Sequence, residues 1–334
     1  MKIAAFETEE WEASACRALQ PEHEVTCTRD ALDDETVTAY ADAEAVTVFV
    51  HSRLTAPVLS ALPRLKLIAT RSTGFDHIDM TACATAGITV VNVPSYGDVT
   101  VAEHVFALLL GVARHLVAYS ERARRGDFAQ ADLRGFELNG KTMGVVGTGR
   151  IGRRVIALAS GFGMEVIAHD IRPDADLAKR LGFRYMDFQA LLADADVVSL
   201  HMPASAETIG LFCEDAFARM KPGAILINTA RGNIVDIEAL VRALSSGHLR
   251  AAGLDVLPQE PLMRDEAEVF RGRPVTPSDL KALLANHVLM RTPNVLITPH
   301  IAYNTEEALR RIIETTVENI RSFSRGRPVN VVAG

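Results

Sequence analysis

Cysteine is scarce: four occur in 334 residues (Cys16, Cys27, Cys83, Cys213), and no two stand at C-x-x-C spacing. That excludes a disulfide-built scaffold and a cysteine-ligated metal centre, and reduced thiols in a cytoplasmic protein are the expected state. Positive charge is also short, with 35 Lys and Arg against 42 Asp and Glu and a net charge of −7. A general nucleic-acid surface is therefore not expected, because phosphate backbones are bound through a basic face. Long hydrophobic runs are missing too. The longest markedly apolar stretch, 105–113, is too short to span a bilayer. The amino terminus, MKIAAFETEEWEAS, reaches its first acid at Glu7 and lacks the basic and apolar regions of a signal peptide. No repeat and no low-complexity tract occurs. Hydrophobic residues, by contrast, make up 48% of the chain, which at this length can supply two sizeable cores.

The most informative stretch is 143–170, MGVVGTGRIGRRVIALASGFGMEVIAHD. A short apolar run enters glycines at G-x-G-x-x-G spacing (Gly147, Gly149, Gly152). A helical pattern follows, then a second apolar run ending in Asp170. Gly147 permits a tight turn out of the strand, Gly149 lets the backbone approach a pyrophosphate, and Gly152 lets the helix pack on the sheet. The free N–H groups of Arg150 and Ile151, at the positive helix end, would face the phosphates. Asp170 lies 23 residues after Gly147 (170 − 147) and is placed to accept the ribose hydroxyls of the adenosine. A 2′-phosphate there would meet like charge, so NAD is favoured over NADP, with Arg172 nearby to soften that preference.

Around this stretch the chain alternates strands and helices, which implies parallel sheets with crossover helices. Before it, strands are expected at 2–6, 46–50, 67–70 and 89–93, with helices at 8–19, 57–62 and 80–86. After it, strands are expected at 197–200, 224–228, 251–254 and 295–298. Helices are expected at 174–181, 188–193, 214–220, 236–246 and 306–323. Between the two sets lies a helical pattern over 101–125, apolar almost all round at its start and basic at its end (Arg122, Arg124, Arg125). A helix apolar on every side must be buried on every side. One domain arranges that with difficulty, so a linker helix that also packs at a subunit interface is expected, followed by an arm at 126–141. If the last helix returns to the first set, the first domain is discontinuous.

Three ionisable residues stand at strand ends after the glycine motif: Arg231 after AILINTA, Glu260 after GLDVLPQ and His300 after NVLITP. Open α/β sheets place their ligands at the carboxyl ends of strands. Here the sequence resembles the D-isomer-specific 2-hydroxyacid dehydrogenases, through RSTGFDHID (71–79), VAEH (101–104), GVVGTGRIG (144–152), INTARGNIVD (227–236), GLDVLPQEP (253–261) and TPHIA (298–302), in family order. The resemblance implies an α/β protein of two Rossmann-like domains with parallel sheets. A discontinuous, flavodoxin-like substrate domain (1–98 plus 301–334) would surround an inserted NAD-binding domain (99–300), with the active site in the cleft between them. It also implies a homodimer built on the helix 101–125 and the arm to 141, and NAD(H) as cofactor with no metal.

In the roles the family implies, Arg231 holds the carboxylate and polarises the carbonyl of a 2-oxo acid with its fixed, charged fork. His300 exchanges a proton with the carbonyl oxygen, and Glu260 orients its ring and favours the charged form. The backbone of Ser72, Thr73 and Gly74 closes on the substrate carboxylate. Asp255 meets the nicotinamide amide, and His201, Pro203 and Thr229 line the cofactor groove. Tyr303, three places after the histidine, and Tyr96 in PSYGD resemble the D-lactate dehydrogenase branch, where they touch a small substrate. The loop FVHSRLT (49–55) departs from that branch, because His51 and Arg53 stand where an aromatic is expected. A second departure is the long segment 262–292. A small 2-oxo acid such as pyruvate is the expected substrate. Glyoxylate or hydroxypyruvate reductase, 3-phosphoglycerate dehydrogenase and phosphite dehydrogenase are the alternatives within the family, and an NAD-sensing corepressor or scaffold is the alternative of another class.

Overall fold

The structure, a computed structural model, describes residues 1–9, 12, 18–129, 133–260 and 276–332. The chain divides into two compact units, Met1–Tyr96 with Asn304–Gly334, and Gly97–Tyr303.

The first unit is a parallel five-stranded sheet of order β2-β1-β3-β4-β5, made of Lys2–Ala5 (β1), Glu24–Cys27 (β2), Ala45–Val48 (β3), Leu67–Thr70 (β4) and Thr89–Val91 (β5). This is the flavodoxin-like order. The central strands β3 and β4 are buried at every position, as a parallel sheet covered on both faces requires. The last helix, Glu306–Ser324, returns to it: Val317 and Ile320 pack with Ile3, Leu67, Ala69 and Val91. The chain end follows, with Val332 N–H donating to the Val90 carbonyl at 2.9 Å. Strand β2 escapes the sequence pattern because it is an edge strand whose residues are mostly exposed. The expected helix 8–19 falls largely outside the described residues.

The second unit is a parallel seven-stranded sheet of order β12-β11-β10-β9-β6-β7-β8. Its strands are Thr142–Val146 (β6), Glu165–His169 (β7), Arg184–Tyr185 (β8), Val197–Leu200 (β9), Ala224–Asn228 (β10), Leu249–Leu254 (β11) and Val295–Ile297 (β12). Counted within the unit, the order is the dinucleotide-binding 3-2-1-4-5-6 with one strand added, and its reversal lies between β6 and β9, where the glycine turn begins. Helix boundaries are set locally. Asp174, Asp187 and Asp236 each accept a hydrogen bond from the first turn of the helix they precede.

The expected single helix over 101–125 is two helices, Asp98–Ala113 and Leu116–Arg124, bent by 62°. The bend sits at His115, whose backbone is left-handed (φ 49°). Burial explains it. Asp98–Ala113 is covered inside its own unit, where Gly111 and Gly253 leave no room for a Cβ against Leu296 and Leu108. Leu116–Arg124 has no buried residue and runs off over the surface. An all-apolar helix thus needs no subunit interface for its first part. No single helix among the described residues is long and apolar enough to cross a membrane. The expectation of four reduced thiols fails at Cys27, which is disulfide-bonded. Cys83 and Cys213 are free, and Cys16 lies outside the described residues.

The core on one face of the larger sheet centres on Phe212, fully buried, with Phe188 and Phe217 ring centroids at 5.6 and 6.1 Å. Phe212→Ala should destabilise the protein by about 3–5 kcal/mol in urea unfolding, through lost burial and a cavity that the rigid sheet cannot close.

Candidate active site

The glycine turn at the end of β6 is shaped for close approach. Gly147 is left-handed (φ 94°), and a Cβ on it would lie 2.8 Å from the carbonyl carbon and oxygen of His201. A Cβ on Gly152 would stand 2.0 Å from the Gly147 oxygen, so helix Arg150–Gly161 can begin there only with glycine. At Gly149 an added Cβ would meet nothing within 4 Å. That opening faces a helix start whose first N–H groups, those of Arg150, Ile151 and Gly152, lack intrahelical acceptors. The Arg150 side chain itself turns to Asp98, at 2.7 Å.

Asp170 follows β7 and is held from three sides. Its Oδ2 accepts the Thr148 N–H at 2.7 Å and the Thr148 hydroxyl at 2.8 Å, and its Oδ1 accepts the Arg172 N–H at 2.9 Å. Because the Thr148 proton is committed to Asp170, the Tyr185 hydroxyl at 2.8 Å is the donor to Thr148. Burial raises the carboxyl pKa, but the hydrogen bonds from Thr148 and Arg172 outweigh it and hold it below the usual range. Asp170 therefore stays ionised through the neutral range. The Thr229 hydroxyl is buried with no hydrogen-bond partner among the described residues. An open glycine turn, unpaired N–H groups, a fixed anion and an orphaned hydroxyl fit a dinucleotide. His201 packs its backbone on Gly147 and bonds Ser199 Oγ through Nε2 at 2.8 Å. Burial pushes its pKa down to about 3, so its ring is neutral near pH 7. Pro203 is exposed on the same strand-end loop.

His300 and Glu260 meet as the spacing alone could not reveal. Nδ1 of His300 lies 2.9 Å from Oε2 of Glu260, each side chain being about a third exposed (30% and 27%). Oε1 of Glu260 accepts the Leu257 N–H at 3.0 Å, so the acid is fixed to its own turn. Fully buried Asn286, on helix Pro277–Met290, donates to the Pro258 carbonyl at 2.8 Å and holds the same turn from outside. The described part of the segment 262–292 is thus a buttress packed against helix Ile237–Ser245; residues 261–275 lie outside the description. Arg231 sits on the neighbouring turn. Asn228 braces that turn by accepting the Ala230 N–H and donating to the Arg231 carbonyl, both at 3.0 Å. A Cβ on Gly232 would lie 2.1 Å from the Leu257 carbonyl carbon, so the Arg231 and Glu260 turns touch backbone to backbone.

Asp255, at the end of the strand Leu249–Leu254, is buried. It is 1% exposed, and its carboxylate accepts the Thr298 hydroxyl (2.6 Å) and the N–H groups of Ile301 and Ala302 (both 2.9 Å). These bonds tie Asp255 to the turn that carries His300. Burial pushes the Asp255 pKa up, but hydrogen bonds from His104, Thr298, Ala302 and Ile301 prevail and leave it below the ordinary 3.8. The turn needs this support, because His300 is left-handed (φ 55°).

In the first unit, Ser72, Thr73 and Gly74 follow β4. Ser72 donates to the Gly74 carbonyl at 2.5 Å, and Thr73 donates to that of Val93 at 2.8 Å. Neither reading of motif nor spacing pointed to Glu7, whose half-buried carboxylate accepts N–H groups of Phe49, His51 and Ser52 at 2.9–3.1 Å and so sets the 49–55 loop. His51 and Arg53 are exposed on that loop. Tyr96 is half-buried, its carbonyl accepting Arg311 at 2.7 Å, and Tyr303 is half-buried at the end of the second unit.

A dinucleotide fold with an acid–histidine pair and an arginine at adjoining strand ends defines a dehydrogenase class. The comparisons narrow it. Residues 106–302 match the model of the D-isomer specific 2-hydroxyacid dehydrogenase NAD binding domain. The chain is 38% identical to 2-hydroxyacid dehydrogenase homolog 1 of Schizosaccharomyces pombe, over 97% of this chain and 96% of that one. It is 34% identical to D-lactate dehydrogenase of Escherichia coli, over 98% of both. A crystal structure of D-lactate dehydrogenase from Aquifex aeolicus, complexed with NAD and lactic acid, superimposes with a TM-score of 0.89 at 35% identity, covering 99% of this chain and 100% of that one. The chain belongs to the D-isomer-specific 2-hydroxyacid dehydrogenase family, an NAD-dependent oxidoreductase family acting on CH–OH groups.

Asp255→Asn should cost about 3 kcal/mol at pH 7, since a neutral amide weakens the bonds and turns one acceptor into a donor facing N–H groups. The Asp255 pKa is depressed on folding, so the benefit of its charge is complete above about 3.8 and is lost as pH falls through the lower folded value. Thermal unfolding from pH 7 to 3 should therefore show a constant deficit that shrinks only below about pH 4.

Proposed function

We propose that this chain interconverts a small 2-oxo acid, pyruvate or a near relative, and its D-2-hydroxy acid with NAD(H). The observation that supports this most is the 2.9 Å bond between His300 Nδ1 and Glu260 Oε2. With Nδ1 engaged by a carboxylate, the ring presents Nε2 outward, and in its charged form that nitrogen carries a proton to give. Glu260 fixes the ring plane and stabilises the positive ring. Arg231 is always charged and offers two parallel donors, which suits a carboxylate beside a carbonyl. NADH, when bound, supplies the hydride to the ketone carbon. His300 delivers the proton to the ketone oxygen, giving the alcohol; oxidation runs the same transfers in reverse. The turn at Gly147–Gly152 and Asp170 would hold the pyrophosphate and adenosine ribose, with Thr229, His201 and Pro203 beside them. The N–H groups of Ser72–Gly74 are of the kind a substrate carboxylate takes, and Tyr96 and Tyr303 favour a small side chain on the substrate.

NADH oxidation with a panel of 2-oxo acids, including pyruvate, glyoxylate and hydroxypyruvate, tests the reading. Pyruvate or a near relative should turn over fastest, and Arg231→Ala should lower kcat/KM on the order of a hundredfold or more. A folded protein that binds NADH and turns over no member of the panel would sink the proposal.

We infer a homodimer through the surface of helix Leu116–Arg124 and the arm after it. Leu116, Val117 and Phe128 are exposed there (63%, 47% and 79%), beside a groove of about 330 Å³ walled by Val117, Phe136, Met290 and Leu296. Such an apolar surface is costly to leave in water. Light scattering should report a dimer for the native chain and a monomer for Val117→Asp.

A further inference from the structure

His104 has no part in the proton transfer described, yet it lies at the start of the hydrogen-bond chain that shapes the catalytic turn. Its Nε2 is 2.9 Å from Thr298 Oγ1. Thr298 Oγ1 is in turn 2.6 Å from Asp255 Oδ1, and Asp255 takes the N–H groups of Ile301 and Ala302. The proton order is forced. An ionised carboxylate only accepts, so the Thr298 hydroxyl donates to Asp255, and its oxygen must then receive a proton from His104. That fixes His104 with its proton on Nε2. Nε2 also stands 3.4 Å from Asp255 Oδ1, close enough to add attraction to the same oxygen.

The chain is anchored at a firm place. His104 belongs to helix Asp98–Ala113, which is seated on β11 and β12 with no room for a Cβ at Gly111 or Gly253. At its other end is His300, in a left-handed conformation that the turn must enforce. Without the His104 donor, the Thr298 oxygen loses the bond that holds it from the helix side, and Asp255 loses the nearby Nε2–H, so the Thr298–Asp255 contact is less firmly placed and the turn can relax.

We propose that His104, acting through Thr298 and Asp255, is a positioning residue for the proton transfer by His300. The proposal rests on His300 being the acid–base group, as inferred above. A donor fixed within a few tenths of an ångström of productive geometry matters because misplacement by about 1 Å costs on the order of a hundredfold in rate.

Steady-state kinetics of four variants, with NADH binding measured by fluorescence and stability by thermal unfolding, test this. His104→Leu and Thr298→Val should each lower kcat on the order of ten- to a hundredfold. KM for the oxo acid and the NADH dissociation constant should stay within about threefold. His104→Gln, whose amide can place a donor where Nε2 stands, should restore most of kcat. The double variant His104→Leu/Thr298→Val should be no slower than Thr298→Val alone, since both break one chain. The proposal is overturned if folded His104→Leu keeps the native kcat, if Gln rescues nothing, or if the loss appears only in melting temperature or NADH binding. Should His104→Leu fail to fold, near-isosteric Thr298→Val carries the same test. If the native protein reduces no 2-oxo acid, the functional reading fails instead. Histidine ¹⁵N spectra of the cofactor-free protein then decide this proposal alone: a His300 ring unmoved by Thr298→Val overturns it.

Discussion

A carboxylate with almost no access to water is expensive unless every lone pair finds a proton. Asp255 is that carboxylate, and the way it is satisfied organises the second unit's active end. Its two oxygens draw in one hydroxyl and two successive backbone N–H groups from the segment that leaves β12. Those bonds curl the segment into a turn, and the turn carries His300. Asp255 also continues β11, whose next residues run to Glu260, so one buried charge ties the strand that leads to Glu260 to the segment that carries His300. Two residues far apart in sequence are thereby brought to 2.9 Å.

Glycine supplies the second constraint. Gly152 against Gly147 and Gly232 against Leu257 are backbone contacts in which a methyl group has no space. The first sets how the helix meets the nucleotide turn, and the second sets how the arginine turn meets the glutamate turn. Neither is a general preference for flexibility. Each is a place where two polypeptide backbones share a volume that a side chain would fill.

Much of this was readable in the residues. The glycine spacing with its following acid, the apolar strands β3, β4, β9 and β10, and the arginine, glutamate and histidine at strand ends all carry strong local signals. The edge strand β2 did not, because an exposed edge has no apolar periodicity to read. The break at His115 was hidden, because no proline or glycine marks it and burial against the sheet decides where the helix stops. Asp255 was visible as a residue, but its bonds to Thr298, Ile301 and Ala302, more than forty residues on, were not, because no spacing encodes them. Glu7 and His104 act through contacts with residues distant in sequence, which no spacing encodes.

His300 sits in a region of backbone space that residues with a Cβ enter at a cost of roughly 1–2 kcal/mol. Only glycine would occupy it freely. The histidine that pairs with Glu260 is thus one that the fold, judged on stability alone, would replace. A chain drifting toward greater robustness has an open route at this position, and a more stable descendant without the Glu260–His300 pair would be its natural end.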